Sequence, residues 1–251
     1  MPKNHLLEDI STRAPKSADK DEIKGKTLAI LQELDELQNL LYAESKHSIL
    51  IVIQGMDASG KDGLIKDVFG AVNPQGVVVQ SFKTPTKEEA AHDFLWRIHK
   101  NTPAKGMIQV FNRSHYEDVL ITRVHGWCDD KTAKKRMDSI NHFETLLAEN
   151  STHIIKLYLH VSHEEQQKRL EERIQIPQKM WKYNAADFAE SKLWDQYREY
   201  YQEIFKKCND IPWQIIPSDQ NWYKSYLVAT LLRDTLKSLK MKYPDLKQME
   251  A

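Results

Sequence analysis

The chain is poor in the residues that staple or anchor a protein. Only two cysteines occur in 251 residues. Cys128 and Cys208 lie far apart and in no metal-like spacing. A disulfide framework is therefore excluded, and two unpaired thiols in a reducing compartment are expected. Long hydrophobic runs are missing too, since nothing approaches the ~20 apolar residues that span a bilayer. The amino-terminal MPKNHLLEDISTRAPKSADK lacks the apolar centre of a signal peptide. A cytoplasmic location without membrane contact is the expectation. An excess of one charge is also absent, because 36 basic and 36 acidic residues cancel. A general nucleic-acid binder is more often basic, so nucleic acid is not an expected partner. A local basic channel for a polyanion stays open. The histidines show no metal-ligand spacing, and there is neither an internal repeat nor a low-complexity tract.

What is present suits one large domain. Hydrophobic residues make up 41% and charged residues 29%, enough for a well-buried core. Residues 1–20 read as a polar, loosely held tail, and 21–251 as a single domain. From Asp21 to Lys46, Ile23, Leu28, Leu31, Leu34, Leu37 and Leu41 recur at helical spacing. That stripe serves either a dimer interface or packing on its own domain. Ile49–Ile53 is continuously apolar, as in a strand buried on both faces. Further strands are expected at Gly76–Phe82, around GMIQVFNR, at Thr152–Val161 and at Trp213–Pro217. Helices are expected between them, one over TKEEAAHDFLWRIHK with Thr86 as N-cap and one around Lys134–Glu149, and a terminal helix follows the last strand. Strands alternating with helices predict an α/β three-layer sandwich, a five-stranded parallel sheet flanked by helices. The segment from about 164 to 205 is charged and rich in Trp and Tyr. It reads as a mobile helical lid over the sheet's C-terminal edge.

Directly after the first strand stands QGMDASGKDG, residues 54–63. Gly55, Gly60 and Lys61 have the G-x-x-x-x-G-K spacing of a phosphate loop. Such a loop aims backbone N–H groups from residues such as Ala58, Ser59 and Gly63 at anionic oxygens, at the positive end of a helix. Asp62 occupies the place of the usual hydroxyl ligand of magnesium. Asp57, inside the loop, would repel phosphate unless a divalent cation bridges them; alternatively it caps the loop's own N–H groups. The third strand ends in FNRSHYEDVLITRVH, a polar cluster where open α/β sheets bind ligands. There Asn112, Arg113, Glu117 and Arg123 are candidate binding residues; Ser114 and Glu117 also fit a capping box. Lys83, in SFKTPT, faces the same edge. Arg169 and Arg173 share a helix face, ended by Pro177, and Lys179 and Lys182 follow. These four are either solvated surface charges or lid cations delivered to a transferring phosphoryl group.

Together GMDASGKDG, SFKTPT, FNRSHYEDVL…RVH and RLEER…P.K.WK followed by LWDQYREYY resemble the polyphosphate kinase 2 family over roughly residues 20–240. The resemblance implies a P-loop kinase-like fold with a helical lid. It implies phosphoryl transfer between inorganic polyphosphate and a nucleotide, with Mg²⁺ or Mn²⁺. Diphosphate-specific members carry D-R-S-W-Y-N at the third strand; here Asn112 and Glu117 replace its Asp and Asn. NRSHYED is similar to the class III branch that accepts mono- and diphosphates, so AMP, ADP, ATP and guanine nucleotides are the expected partners. Asp57, Lys61, Arg113, Arg169 and Arg173 would be catalytic, with Asp57 and Glu117 as metal ligands. Ile176 departs from the pattern, which has an acid before the lid proline. A homo-oligomer, dimer or tetramer, is also expected. The competing reading is an ATP-dependent small-molecule or nucleotide kinase of the same fold.

Overall fold

A strand that is apolar at every position has to be covered on both faces, and β1 (Ser48–Gln54) is buried throughout. In the computed structural model, which describes residues 7–245, β1 lies at the centre of a parallel sheet ordered β2-β3-β1-β4-β5. The other strands are β2 (Val77–Ser81), β3 (Ile108–Asn112), β4 (Thr152–His160) and β5 (Trp213–Pro217). The helices in chain order are α1 (Lys20–Glu44), α2 (Lys61–Leu64), α3 (Lys87–Ala90), α4 (Trp96–His99), α5 (Ile121–Val124) and α6 (Asp130–Glu149). They continue with α7 (His163–Gln175), α8 (Pro177–Met180), α9 (Ala185–Ser191), α10 (Trp194–Lys207) and α11 (Asn221–Ser238).

The alternation of side chains along β1 divides the core in two. Ile49, Ile51 and Ile53 join Leu34 and Leu41 of α1 and Val228, Leu232 and Leu236 of α11. Leu50 and Val52 join Met137, Ile140 and Phe143 of α6 and Trp194, Tyr201 and Ile204 of α10. The result is the three-layer sandwich expected from the strand–helix alternation. At the sheet's edge, β2 leaves Val78 and Val79 partly exposed. No helix among the described residues is long and apolar enough to cross a membrane.

Of the two uses open to the stripe of α1, packing on its own domain is the one seen: Ile30, Leu34 and Leu41 pack on α11, while Leu28 is exposed. Three expectations need correction. The single helix expected over residues 86–100 is two short ones: Thr86 and Glu89 form a capping box that starts α3, and an aspartate turn at Asp93 precedes α4. The expected lid is shorter than 164–205, because α10 belongs to the core. Finally, positions 7–19 of the supposed tail are fixed. Leu7 is buried in the core, and Asp19 caps α1 by accepting from the N–H groups of Asp21 and Glu22. Residues 1–6 and 246–251 lie outside the described residues.

Candidate active site

The loop between β1 and α2 turns by way of three residues in the left-handed half of backbone space: Gly55 (φ 152°), Ala58 (φ 60°) and Gly60 (φ 93°). At Gly55 a Cβ would come within 2.8 Å of Ser59 Oγ and 3.0 Å of the Leu159 carbonyl, so the tight turn requires glycine there. Lys61 opens α2 and is buried. Its ammonium donates to the carbonyls of Gly55 (2.7 Å) and Met56 (3.1 Å). Burial, with Arg113 nearby, pushes its pKa down. Asp62 accepts from Asn112 Nδ2 (3.0 Å) and Lys182 Nζ (3.3 Å). Burial alone would raise its carboxyl; these partners hold it below the usual value.

At the end of β3, Arg113 is also left-handed (φ 63°). Its backbone N–H bonds the Ile53 carbonyl (3.1 Å), and its guanidinium meets Asp57 Oδ1 at 2.8 Å. Asp57 therefore pairs with a cation rather than capping the loop. Ser114 caps the following turn by accepting from the Tyr116 N–H (3.2 Å). Glu117 does not complete a capping box; its carboxylate lines a cavity with Asp57, Arg113, Met56, Tyr197 and Tyr201. Burial raises its pKa, against the pull of Arg113 and Lys61. Arg123 is not brought to the cleft. Its guanidinium pairs with Asp130 (2.7 Å) and Glu203 (2.8 Å) and lies 4.0 Å over the Tyr200 ring. It ties α5 to α6 and α10.

The lid supplies the opposite wall. Arg169 and Arg173 of α7, with Lys179 and Lys182 beyond Pro177, line an open cleft together with Asp57, Ala58, Gly60, Lys61, Asp62, Gly63, Lys83, Asn112 and Arg113. Arg169 donates to Glu165 and to the carbonyls of Ala58, Ser218 and Asp219. Arg173 pairs with Asp187, Lys179 with Glu172 and Lys182 with Asp62. The four lid cations thus share one cleft, and none is a free surface charge. Of the lid aromatics, Trp194 and Tyr201 are core, Tyr197 lines the cavity and Trp181 is exposed.

Sequence reasoning missed two ionisable groups here. Asp187, on α9, lines the cleft, and its carboxyl is raised by burial and by Asp57. Lys224, on α11, is fully buried and donates to the Gly60 carbonyl (3.1 Å) and Asn221 Oδ1 (2.9 Å). Burial and the neighbouring Arg169 lower its pKa to about 7. No motif marks either residue. A lysine on the mostly apolar face of the terminal helix was the one available signal.

Two compartments meet in this site. The smaller cavity and the open cationic cleft share Asp57 and Arg113. The pattern of the family described as polyphosphate kinase 2 matches residues 17–245. An AMP/ADP-polyphosphate phosphotransferase of Meiothermus ruber is 47% identical over 220 residues, 86% of this chain and 82% of that protein. An ADP-polyphosphate phosphotransferase of Rhodopseudomonas palustris is 42% identical, over 86% of this chain and 79% of its own length. The crystal structure of polyphosphate kinase 2 from Arthrobacter aurescens superposes with a TM-score of 0.94 at 41% identity, covering 98% of this chain and 89% of that one. A P-loop sandwich with a cationic lid, matched along nearly its whole length, thus has one assignment: the chain belongs to the polyphosphate kinase 2 family and is a phosphotransferase of that type.

Proposed function

We propose that the enzyme moves the terminal phosphoryl group of inorganic polyphosphate onto nucleoside mono- and diphosphates, AMP to ADP and ADP to ATP. The carrying observation is the pair of compartments joined at Asp57 and Arg113. An open cleft with cations on both walls suits a polymer made of phosphate, and a small cavity with an apolar side suits the acceptor. The Meiothermus relative, an AMP/ADP-polyphosphate phosphotransferase, supports the acceptor range. Guanine nucleotides are proposed as further acceptors. In the cavity, Glu190 is engaged by His125 and Tyr197, and Gln166 Nε2 and Ser191 Oγ donate to the carbonyls of Asp57 and Phe188, while Gln166 Oε1 has no hydrogen-bond partner among the described residues.

An acceptor phosphate oxygen would attack the terminal phosphorus of the polymer, and the bond to the shortened chain would break with its electron pair on the leaving oxygen. The acceptor is already ionised near neutral pH, so alignment and charge neutralisation matter more than a strong base. Lys61, Arg113, Arg169 and Arg173 would supply that neutralisation. Mg²⁺, with Mn²⁺ as substitute, is the proposed metal. Among the described residues no group of three or more His, Cys, Asp or Glu forms a metal cluster. Mg²⁺ nevertheless needs only one or two carboxylates beside phosphate oxygens and water, and Asp57 and Glu117, which both line the cavity, fit that demand. When bound, it would neutralise phosphate charge shared between donor and acceptor. A homo-oligomer, dimer or tetramer, completes the proposal, with β2 and the outer side of α1 as its available surfaces; light scattering during gel filtration tests it.

The deciding experiment offers AMP and ADP separately to purified protein with Mg²⁺ and long-chain polyphosphate, without ATP. ADP formed from AMP and ATP formed from ADP are expected. No product from either would shift the assignment to an ATP-dependent kinase. In the same assay, Glu117→Asn is expected to depress AMP use about tenfold more than ADP use. Equal loss for both acceptors would remove Glu117 from acceptor selection.

A further inference from the structure

The polar segment before α1 is bound to a single carboxylate at the root of the lid. Asp219 follows β5 and is nearly buried. Its N–H donates to the Thr12 carbonyl (3.0 Å), and its Oδ2 accepts from Thr12 Oγ1 (2.8 Å). The Arg13 guanidinium lies 3.9 Å from the same oxygen. On either side, the Ile10 carbonyl meets His160 Nε2 (3.1 Å), and the Ala14 N–H donates to Gln220 Oε1 (2.8 Å).

The same aspartate faces the catalytic elements. Its Oδ1 accepts from the Ser162 N–H (2.8 Å), and Ser162 caps α7. Its carbonyl accepts from Arg169 Nη2 (3.0 Å), and Arg169 Nη1 reaches the Ala58 carbonyl of the phosphate loop (3.1 Å). A continuous run of hydrogen bonds therefore leads from Thr12 through Asp219 to the first turn of the lid and on to the loop.

We propose that residues 10–14 form a strap that positions Arg169 and the root of the lid for phosphoryl transfer, with Asp219 as the junction. Thr12 and Asp219 are positioning residues, since neither lines the cavity or the cleft. One carboxylate oxygen holds the strap and the other holds the cap of α7. Releasing the first lets the carboxylate rotate and loosens the second. Displacement of a charge-stabilising group by a fraction of an ångström lowers the rate of transfer. The acceptor cavity shares only Gln166 with the first turn of α7, so acceptor binding changes less than turnover.

The inference rests on the reading of Arg169 as a phosphate-facing cation. Its test therefore combines turnover with a measurement made without substrates. Thr12→Val, Thr12→Ser, Asp219→Asn and the double variant Thr12→Val/Asp219→Asn are compared with the wild type. Thr12→Val is expected to lower kcat about fivefold, with a smaller change in the KM for ADP and nearly unchanged Tm. Thr12→Ser is expected to restore kcat. In the Asp219→Asn background, Thr12→Val should cost little more, because both changes break one chain of bonds. Hydrogen exchange in the substrate-free Thr12→Val protein should accelerate in the first turn of α7. Wild-type kcat and wild-type exchange in Thr12→Val would overturn the strap. Faster exchange beside a wild type that makes no product from polyphosphate would sustain the strap and sink the functional reading.

Discussion

The two walls of the cleft hold their cations in different ways. On the loop side, Lys61 lines the cleft and Lys224 lies behind it; both are buried and donate to the peptide carbonyls of Gly55, Met56 and Gly60, while Arg113 beside them meets the Asp57 carboxylate. On the lid wall, Arg173, Lys179 and Lys182 each meet a carboxylate, from Asp187, Glu172 and Asp62. A carbonyl satisfies the donor but cancels no formal charge. The two lysines therefore carry charge only at the cost of desolvation, which is why both are shifted down. The lid's charge is already neutralised by neighbours. A polyanion arriving there exchanges one acidic partner for another, at small net energy. The loop wall fixes where phosphate sits, and the lid wall follows a polymer of variable length.

Variants on the two walls should separate by orders of magnitude. Lys61→Met is expected to lower kcat by about a thousandfold with the fold retained by circular dichroism. A loss below about tenfold would deny the loop wall its special place.

Lys224→Met carries a pH signature. With a pKa of about 7 in the folded protein, the ammonium is charged below that pH and loses its charge as pH rises through it. The KM for polyphosphate should accordingly rise between about pH 6 and 8 in the wild type, and stay flat in Lys224→Met. The stability effect has the opposite sign. The folded state binds this proton less tightly than the unfolded chain, so the penalty is complete below about pH 7 and is relieved as pH rises toward the ordinary lysine value. Tm of Lys224→Met should exceed that of the wild type most clearly below about pH 7. A parallel pH profile in both proteins would exclude Lys224 from the loop's electrostatics.

The smallest effect belongs to Lys182→Ala, about two- to threefold on the KM for polyphosphate and diminishing as salt is raised. Should this variant lose as much as Lys61→Met, the two walls would be equivalent and the contrast would fall.

The sheet was legible because its strands are short apolar runs bounded by polar turns. Each lies within about two residues of its expected place, and the phosphate loop announced itself by glycine spacing. Pairings between distant segments were not legible. The partner of Asp57 is Arg113, and the partner of Asp62 is Lys182 at the far end of the lid. Arg123 looked like a ligand-binding arginine by its place after the third strand, yet Asp130 and Glu203 claim it. Residues 10–14 bind polar groups at the sheet's edge, and composition alone does not distinguish that from a solvated tail. Lys224 stayed hidden because helical periodicity gives a face but not the carbonyl that meets it.

The left-handed backbone at Arg113 narrows the mutational routes open to the enzyme. Holding a non-glycine residue there costs on the order of 1 kcal/mol. Glycine would relieve that strain but would lose the guanidinium that meets Asp57 between the two compartments. Lysine would keep a charge and all of the strain. Selection for heat resistance alone therefore pushes position 113 away from arginine, whereas selection for turnover holds it. Among the residues of the cleft, this is where a directed-evolution campaign would have to choose between durability and speed.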